Sequence, residues 1–343
     1  MISLNPDKPL IAITMGDPAG SGPEVNMKAL AREDLRSRAK FVLVGDLGVF
    51  QRASELANIK EVEFVKIAHP SEALDQPKNI NIIDLNNVDP SKLVYGKPSS
   101  LGGKASYESI AQAVDYAMSG DVHAVMTAPI SKESLNSAGY NYPGHTELLA
   151  DLTNTTDVRM MLIQGAFRVA HVTTHVSLRK ALQLITKERI IATIESTHKS
   201  LVDLFGISQP KIAVSGLNPH AGESGIFGSE ETEKITPAIK QAHRQGFWVS
   251  GPYPPDTVFY RAYHNKEFDA VIAMYHDQGH IAMKMVGFME GVNLSLGLPI
   301  IRTSPDHGTA WDKAGKGTAD ERATLEAIRL AIELAEKKYK LKG

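Results

Sequence analysis

Apolar residues recur along this chain in short unbroken runs rather than in strict alternation, and most runs are followed by a stretch with helical spacing. The runs Leu10–Met15, Phe41–Val44, Val122–Thr127, Met160–Ile163, Arg168–Thr173, Lys211–Leu217, Asp269–Met274 and Val292–Leu296 predict buried strands. Between them the spacing predicts helices over Glu24–Ser37, Ala105–Met118, Lys187–Phe205, Glu230–Gln245 and Asp320–Lys338. The stretch from Lys187 shows the logic. Ile190, Ile194, Thr197, Leu201 and Leu204 share one face, Thr186 stands as an N-cap, and Gly206 ends the helix. Alternation of this kind means βαβ units and a mainly parallel sheet covered on both faces, an α/β fold. The region Ala68–Gly103, rich in Pro, Asn, Asp, Ser and Gly, reads as loops with short strands. No break in composition marks a domain boundary.

In an open α/β sheet, ligands bind beyond the carboxyl ends of the strands, so the residues following each run carry the most information. Three runs end in histidine-bearing segments: Thr173-Thr174-His175, Asn218-Pro219-His220-Ala221-Gly222-Glu223 and Tyr275-His276-Asp277-Gln278-Gly279. A lone strand-end histidine most often makes a structural hydrogen bond. Three at equivalent positions point toward one spot, and three imidazoles with open positions suit Zn²⁺, Co²⁺, Mn²⁺ or Ni²⁺ better than Ca²⁺. By spacing alone the set serves either a metal or three separate hydrogen bonds. Asp277 and Glu223 stand where they could orient the rings, or cap helices.

Anion-binding chemistry forms a second group. Pro143-Gly144-His145-Thr146-Glu147 opens a helix, whose free N–H groups suit phosphate or carboxylate. Lys284, Asn293 and Arg302 lie near strand or helix ends, and Arg302 directly follows an apolar run. The glycine-rich stretches complete neither G-x-G-x-x-G nor G-x-x-x-x-G-K-[ST], so an ordinary dinucleotide fingerprint and a P-loop are absent. Gly308 to Gly317 remains as a place where backbone could approach a cofactor closely.

Composition narrows the classes. The 343 residues give a prior of two domains at about 150 residues each. Lys and Arg total 37 against 39 Asp and Glu, so neither a nucleic-acid backbone nor an anionic membrane is the expected partner. No cysteine is present, which excludes disulfides, thiolate zinc sites and cysteine nucleophiles. The first residues lack a secretory pattern and no run approaches the roughly 18 apolar residues of a spanning helix, so a cytoplasmic location is expected.

Taken together, the segments resemble the metal-dependent 4-hydroxythreonine-4-phosphate dehydrogenases and their 4-phospho-D-threonate/4-phospho-D-erythronate dehydrogenase branch. The stretches that carry the resemblance are Thr14–Gly20, Tyr142–Glu147, Val172–His175, Gly216–Glu223, Pro254–Phe259, Tyr275–Gly279, Gly297–Thr303 and Asp306–Ala310, in that order. The resemblance implies two α/β/α domains around a cleft, isocitrate/isopropylmalate dehydrogenase-like, with residues 1–140 plus 297–343 as the cofactor-side domain. Residues 141–296 would then form the metal, substrate and dimerisation domain.

By the same resemblance His175, His220 and His276 are the ligands of one divalent metal (Zn, Co, Mn, Ni or Mg). That site is shared across a homodimer, with His276 coming from the neighbouring subunit. His145, Thr146, Lys284, Asn293 and Arg302 bind the phosphorylated acid. His307, Gly308, Thr309, Ala310 and Gly315 belong to the loop that holds NAD, and no basic cluster announces the 2′-phosphate of NADP. The implied reaction oxidises the C3 hydroxyl to a β-keto acid that loses CO₂. The base stays open between Asp256, Asp277 and a metal-bound hydroxide. Tyr142-Pro143 and His280-Ile281 depart from the vitamin B6 enzymes toward the sugar-acid branch. The alternatives are a dehydrogenase of pyridoxal 5′-phosphate biosynthesis, a phosphate acyltransferase-like enzyme, and a non-catalytic phospho-sugar-acid sensor.

Overall fold

A computed structural model describes residues 8–76 and 78–341. Met1–Asp7, where the sequence shows no leader pattern, lies outside the described residues. Among the described residues twelve strands occur in chain order: β1 Leu10–Thr14, β2 Lys40–Gly45, β3 Glu63–Lys66, β4 Asn79–Asp84, β5 Ala124–Met126, β6 Arg159–Gln164, β7 Phe167–His171, β8 Ile212–Ser215, β9 Val249–Tyr253, β10 Ala270–Ala273, β11 Val292–Leu296 and β12 Arg302–Pro305. The chain divides into two compact units, Met1–Val158 with Leu298–Gly343, and Arg159–Gly297. The first break therefore falls after Val158, where the sequence reading placed it after residue 140. As a result the helix His145–Leu152 belongs to the first unit.

In the first unit the strands run in the order β3-β4-β2-β1-β5-β12, every pair parallel. The run Leu10–Thr14 is wholly buried, as a strand covered on both faces must be. One face packs Leu10, Ala12, Val42, Val44 and Val125 against Ile110, Ala113 and Val114 of the helix Ser100–Ser119. The helix Arg322–Tyr339 buries Leu325, Ile328, Ile332 and Ala335, at spacings of three and four. No helix among the described residues is long and apolar enough to cross a membrane.

His123, just before β5, shows how this unit treats a polar side chain it encloses. It is 4% exposed, its Nδ1 accepts from the Leu10 backbone N–H (2.8 Å), and Tyr339 meets its ring edge-on. Burial pushes its pKa down to about 4, so the folded protein keeps it neutral where the unfolded chain protonates it. Its share of stability is complete above about pH 6.5 and is lost as pH falls toward 4. His123→Asn keeps an acceptor without the titration. Between pH 6.5 and 5 the urea-derived stability of the parent protein should fall by about 1–2 kcal/mol more than that of the variant. Parallel pH profiles would show that His123 is not the acid-labile group.

The second unit is ordered β11-β6-β7-β10-β8-β9. Here β11/β6 and β6/β7 are antiparallel, and β7, β10, β8 and β9 are mutually parallel. The antiparallel pairs qualify the expectation of a mainly parallel sheet; Gly165 (φ +55°) turns β6 back into β7 as a tight hairpin. Its core gathers Met160, Leu162, Val169, Ala213, Val258, Val271, Ala273 and Met283. The helix Lys187–Asp203 starts at Thr186, whose hydroxyl accepts from the Arg189 N–H.

Candidate active site

Because β7, β10 and β8 are parallel and adjacent, their carboxyl ends fall on one edge of the second unit. His276 follows the central strand β10, His175 follows β7, and His220 follows β8. The rings of His175 and His276 lie 5.6 Å apart, whereas His220 is near Phe227, at 6.1 Å. Among the described residues no three His, Cys, Asp or Glu side chains form a metal-sized group.

His276 opens the helix His276–Val286. Asp277 Oδ1 accepts from its Nδ1 at 2.6 Å. That bond fixes the tautomer and leaves the Nε2 lone pair for a ligand, the usual relation of a carboxylate to a metal-binding imidazole. One turn on, His280 stacks on His276 with centroids 3.6 Å apart and planes at 12°. Its Nδ1 donates to the His276 carbonyl (3.0 Å), which leaves its own Nε2 as an acceptor. His171, the last residue of β7, lies 4.9 Å from the His280 ring and is 2% exposed. Burial first, then the neighbouring His280 and His276, hold its pKa at about 3. Sequence reasoning missed His171, because a histidine inside an apolar run reads as strand.

His220 occupies an unusual backbone. His220, Ala221, Gly222, Glu223 and Ser224 all have left-handed dihedrals, with φ between +40° and +80°. Such a run costs roughly 1–2 kcal/mol for each residue other than glycine, so other contacts must hold it. Glu223 is exposed and Asp256 stands exposed in the first turn of the helix Pro255–Tyr263. Lys284 lies with Nζ 5.0 Å over the Phe288 ring, and Asn293, on β11, has a buried Oδ1 without a hydrogen-bond partner.

In the first unit Arg302 begins β12, paired with Val125 of β5, and is 1% exposed. Its Nε and Nη2 donate to Thr127 Oγ1 at 3.0 and 2.6 Å, and burial pushes its pKa down to about 9. His145 begins the helix His145–Leu152, with Thr146 beside it. Its pKa is held well below the ordinary value, by burial first and then by the charge of Arg302. Its Nε2 is buried without a partner. A neutral imidazole with an unmatched nitrogen next to a desolvated guanidinium is a setting that an anionic, hydrogen-bonding ligand would complete. Tyr142 is otherwise engaged: its hydroxyl donates to Asp151 at 2.5 Å, and that bond pushes its pKa up to about 12.

A family model described as pyridoxal phosphate biosynthetic protein PdxA matches residues 37–331. The chain belongs to the PdxA family. It is 46% identical over 330 residues to the D-threonate 4-phosphate dehydrogenase of Pectobacterium atrosepticum, covering 95% of this chain and 99% of that one. It is equally 46% identical, over 334 residues, to the 4-hydroxythreonine-4-phosphate dehydrogenase of Trichlorobacter lovleyi, covering 97% and 99%. The crystal structure of 4-hydroxythreonine-4-phosphate dehydrogenase from Klebsiella pneumoniae superposes with a TM-score of 0.88 at 44% identity, covering 97% of this chain and 99% of that one. This PdxA-family chain is accordingly a dehydrogenase, an oxidoreductase.

The residues of this PdxA-family chain meet a metal and a dinucleotide unequally well. An imidazole whose Nδ1 is held by a carboxylate, as in His276, suits a divalent ion of borderline softness, and the His175 ring lies beside it; among the described residues no third side chain of the same copy completes a metal-sized group. In the expected cofactor loop His307 Nδ1 donates to the Gly308 carbonyl (2.9 Å) and His307 Nε2 is buried without a partner. A side chain at Gly308 would meet open space, Thr309 is buried, and Ala310 has φ +45°. That end of the loop has room and an unmatched nitrogen to offer. Gly315 differs: its N–H donates to buried Glu24 (2.5 Å), and a Cβ there would lie 2.8 Å from the Tyr95 ring. Packing within the unit accounts for that glycine without a cofactor.

Proposed function

We propose that this PdxA-family chain oxidises the C3 hydroxyl of 4-phospho-D-threonate or 4-phospho-D-erythronate, with NAD as acceptor. The β-keto acid so formed decarboxylates to dihydroxyacetone phosphate. The observation that carries the sugar-acid reading is His280, stacked on His276 one turn further along the same helix. An imidazole beside the proposed metal ligand can hydrogen-bond a substrate hydroxyl at C2, and a buried polar group left unmatched costs about 1–3 kcal/mol.

The working enzyme is proposed to be a homodimer whose metal site takes His175 and His220 from one copy and the third imidazole from the other. Exposed apolar side chains in the second unit support association: Leu178, Leu182, Ile281, Met285 and Phe288 are between 48% and 82% exposed. When bound, the ion would acidify the substrate hydroxyl and NAD would take the hydride. Arg302 and His145 are proposed to bind the substrate phosphate, with Thr146, Lys284 and Asn293 as further substrate contacts. His307 to Ala310 are proposed to contact NAD. Asp277 holds His276 in its tautomer, so of the two proposed carboxylate bases it is the one already engaged.

A second reading, oxidation of 4-phosphooxy-L-threonine, is favoured by the equal identity to the Trichlorobacter lovleyi protein. The two separate in one assay: NADH formation with added divalent metal on 4-phospho-D-threonate, 4-phospho-D-erythronate and 4-phosphooxy-L-threonine. Turnover of the first two alone is the expected result. Turnover of the third alone would replace this reading with the second, and silence on all three would overturn both.

A further inference from the structure

The three histidine-bearing loops are laced together by side chains that neither carry a histidine nor were singled out in the sequence. The ladder between β10 and β8 ends at Ile272 paired with Val214, and that between β7 and β10 at His171 paired with Ala273. One further backbone bond, from the Val172 N–H to the Ala273 carbonyl (2.9 Å), continues the pairing of β7 with β10, and just past it the loops begin. Met274 is where they are joined. Its carbonyl accepts from Thr173 Oγ1 (2.9 Å), two residues before His175, and its N–H donates to Gln278 Oε1 (2.6 Å), two residues after His276. Gln278 Nε2 then donates to the carbonyl of Gly216 (2.8 Å), at the start of the loop that carries His220. A single carboxamide supplies one acceptor and one donor, and so extends the sheet by one rung where the backbone has parted.

The far side of the His220 loop is held by Glu231, 4% exposed, in a π-helical turn Glu231–Ile235. Its Oε1 accepts from the N–H groups of Leu217 and Asn218, both at 2.7 Å, and its Oε2 from Asn218 Nδ2 at 2.9 Å. Two glycines make room for it. A Cβ at Gly216 would lie 3.2 Å from Glu231 Oε1, and one at Gly222 would lie 2.7 Å from Oε2. The segment that leads into the left-handed run 220–224 is thus held at three consecutive residues, by Gln278 at Gly216 and by Glu231 at Leu217 and Asn218.

We propose that Gln278 and Glu231 are positioning residues, which set the spacing and orientation of the loops bearing His175, His220 and His276 for a divalent ion. The inference rests on the metal reading under Proposed function. It differs from that reading in assigning the effect to residues that never touch the ion.

The test is a Co²⁺ titration of the full-length metal-stripped protein, followed by calorimetry and by the visible absorption of the bound ion, which reports ligand geometry. Parent, Gln278→Met, Gln278→Glu and Glu231→Gln are compared, with thermal melting as the control for folding. Removing such an outer partner is expected to weaken Co²⁺ binding by about 10–100-fold and to change the spectrum. Gln278→Glu keeps the acceptor for Met274 but loses the donor to Gly216, so it should fall between parent and Gln278→Met. It also carries the test if Gln278→Met does not fold. In NADH formation kcat should fall while KM for the phosphorylated substrate stays within about twofold. Folded variants that bind Co²⁺ as tightly as the parent, with the same spectrum, would overturn the positioning role alone. A parent protein that binds no Co²⁺ would overturn the metal reading, and this inference with it.

Discussion

Replacing His220 with Ala is expected to lower NADH formation by about a thousandfold or more while the protein stays folded. The magnitude follows from Lewis-acid stabilisation of several kcal/mol at a developing alkoxide, each 1.4 kcal/mol being about tenfold in rate. The folding half follows from where the residue sits. His220 is exposed, and its loop is anchored through Gly216, Leu217 and Asn218 rather than through the ring. Removing the imidazole therefore takes nothing out of the core, and the melting temperature should stay within a few degrees. His276→Ala should match the rate loss. The measurement is initial rate at saturating NAD and added metal, beside metal content per chain. Near-parental activity in a metal-depleted His220→Ala protein would remove the imidazole set from the mechanism.

How much of this was legible in the sequence depends on what kind of interaction fixed each element. Buried apolar runs such as Leu10–Thr14 and Ala270–Ala273 announce themselves, because burial on both faces demands unbroken hydrophobicity. Four strands did not. β3 (Glu63–Lys66) has polar residues at both ends, and β4 (Asn79–Asp84) lies in the stretch read as loops with short strands, whose bounds the sequence does not give. Asn81 in β4 belongs there because its amide donates to the Phe41 and Leu74 carbonyls, a tertiary bond that no periodicity encodes. β9 and β12 are hidden likewise, the first by Gly251 and Pro252, the second because Arg302 and Thr303 are buried polar residues. The helix expected over Glu24–Ser37 is two, Gly22–Leu30 and Glu33–Arg38, and that expected over Glu230–Gln245 begins as a π-helical turn.

The site divides the same way. Strand-end position was enough to pick out His175, His220 and His276, since sheet topology places the ends of parallel neighbours together. It could not show that one chain brings only two of those rings near each other. Asp277 reads from sequence as either orienting a ring or capping a helix, and its bond to His276 decides between them; that Tyr142 spends its hydroxyl on Asp151 no pattern shows. Gln278 and Glu231 were invisible for a plainer reason. A glutamine after a strand and a glutamate opening a helix read as solvated, and only the positions of Met274, Gly216 and Asn218 give them work.

Arg302→Met is expected to move stability and substrate affinity in opposite directions. The guanidinium is 1% exposed, and burial pushes its pKa down to about 9 from 12.5. A base whose folded pKa lies below its unfolded one costs stability while charged; the cost is full below about pH 9 and is relieved only as pH rises from there toward 12.5. Replacement by an apolar side chain of similar reach should therefore leave the ligand-free protein as stable as before, or more stable by up to about 4 kcal/mol. The loss of the hydrogen bonds that Arg302 donates, the two to Thr127 Oγ1 among them, sets the lower end of that range. Binding should suffer. Each charge-assisted hydrogen bond to the proposed phosphate is worth about 1.5–3 kcal/mol, so losing a forked pair should raise KM by about a hundredfold or more. His145 should respond as well, since it loses the neighbouring charge that helps hold its pKa down. Denaturant melts at pH 7 and substrate titrations of the same preparation check both halves. A variant that melts earlier and keeps the parental KM would mean that Arg302 is a structural cation with a satisfied environment, and that the phosphate is held elsewhere.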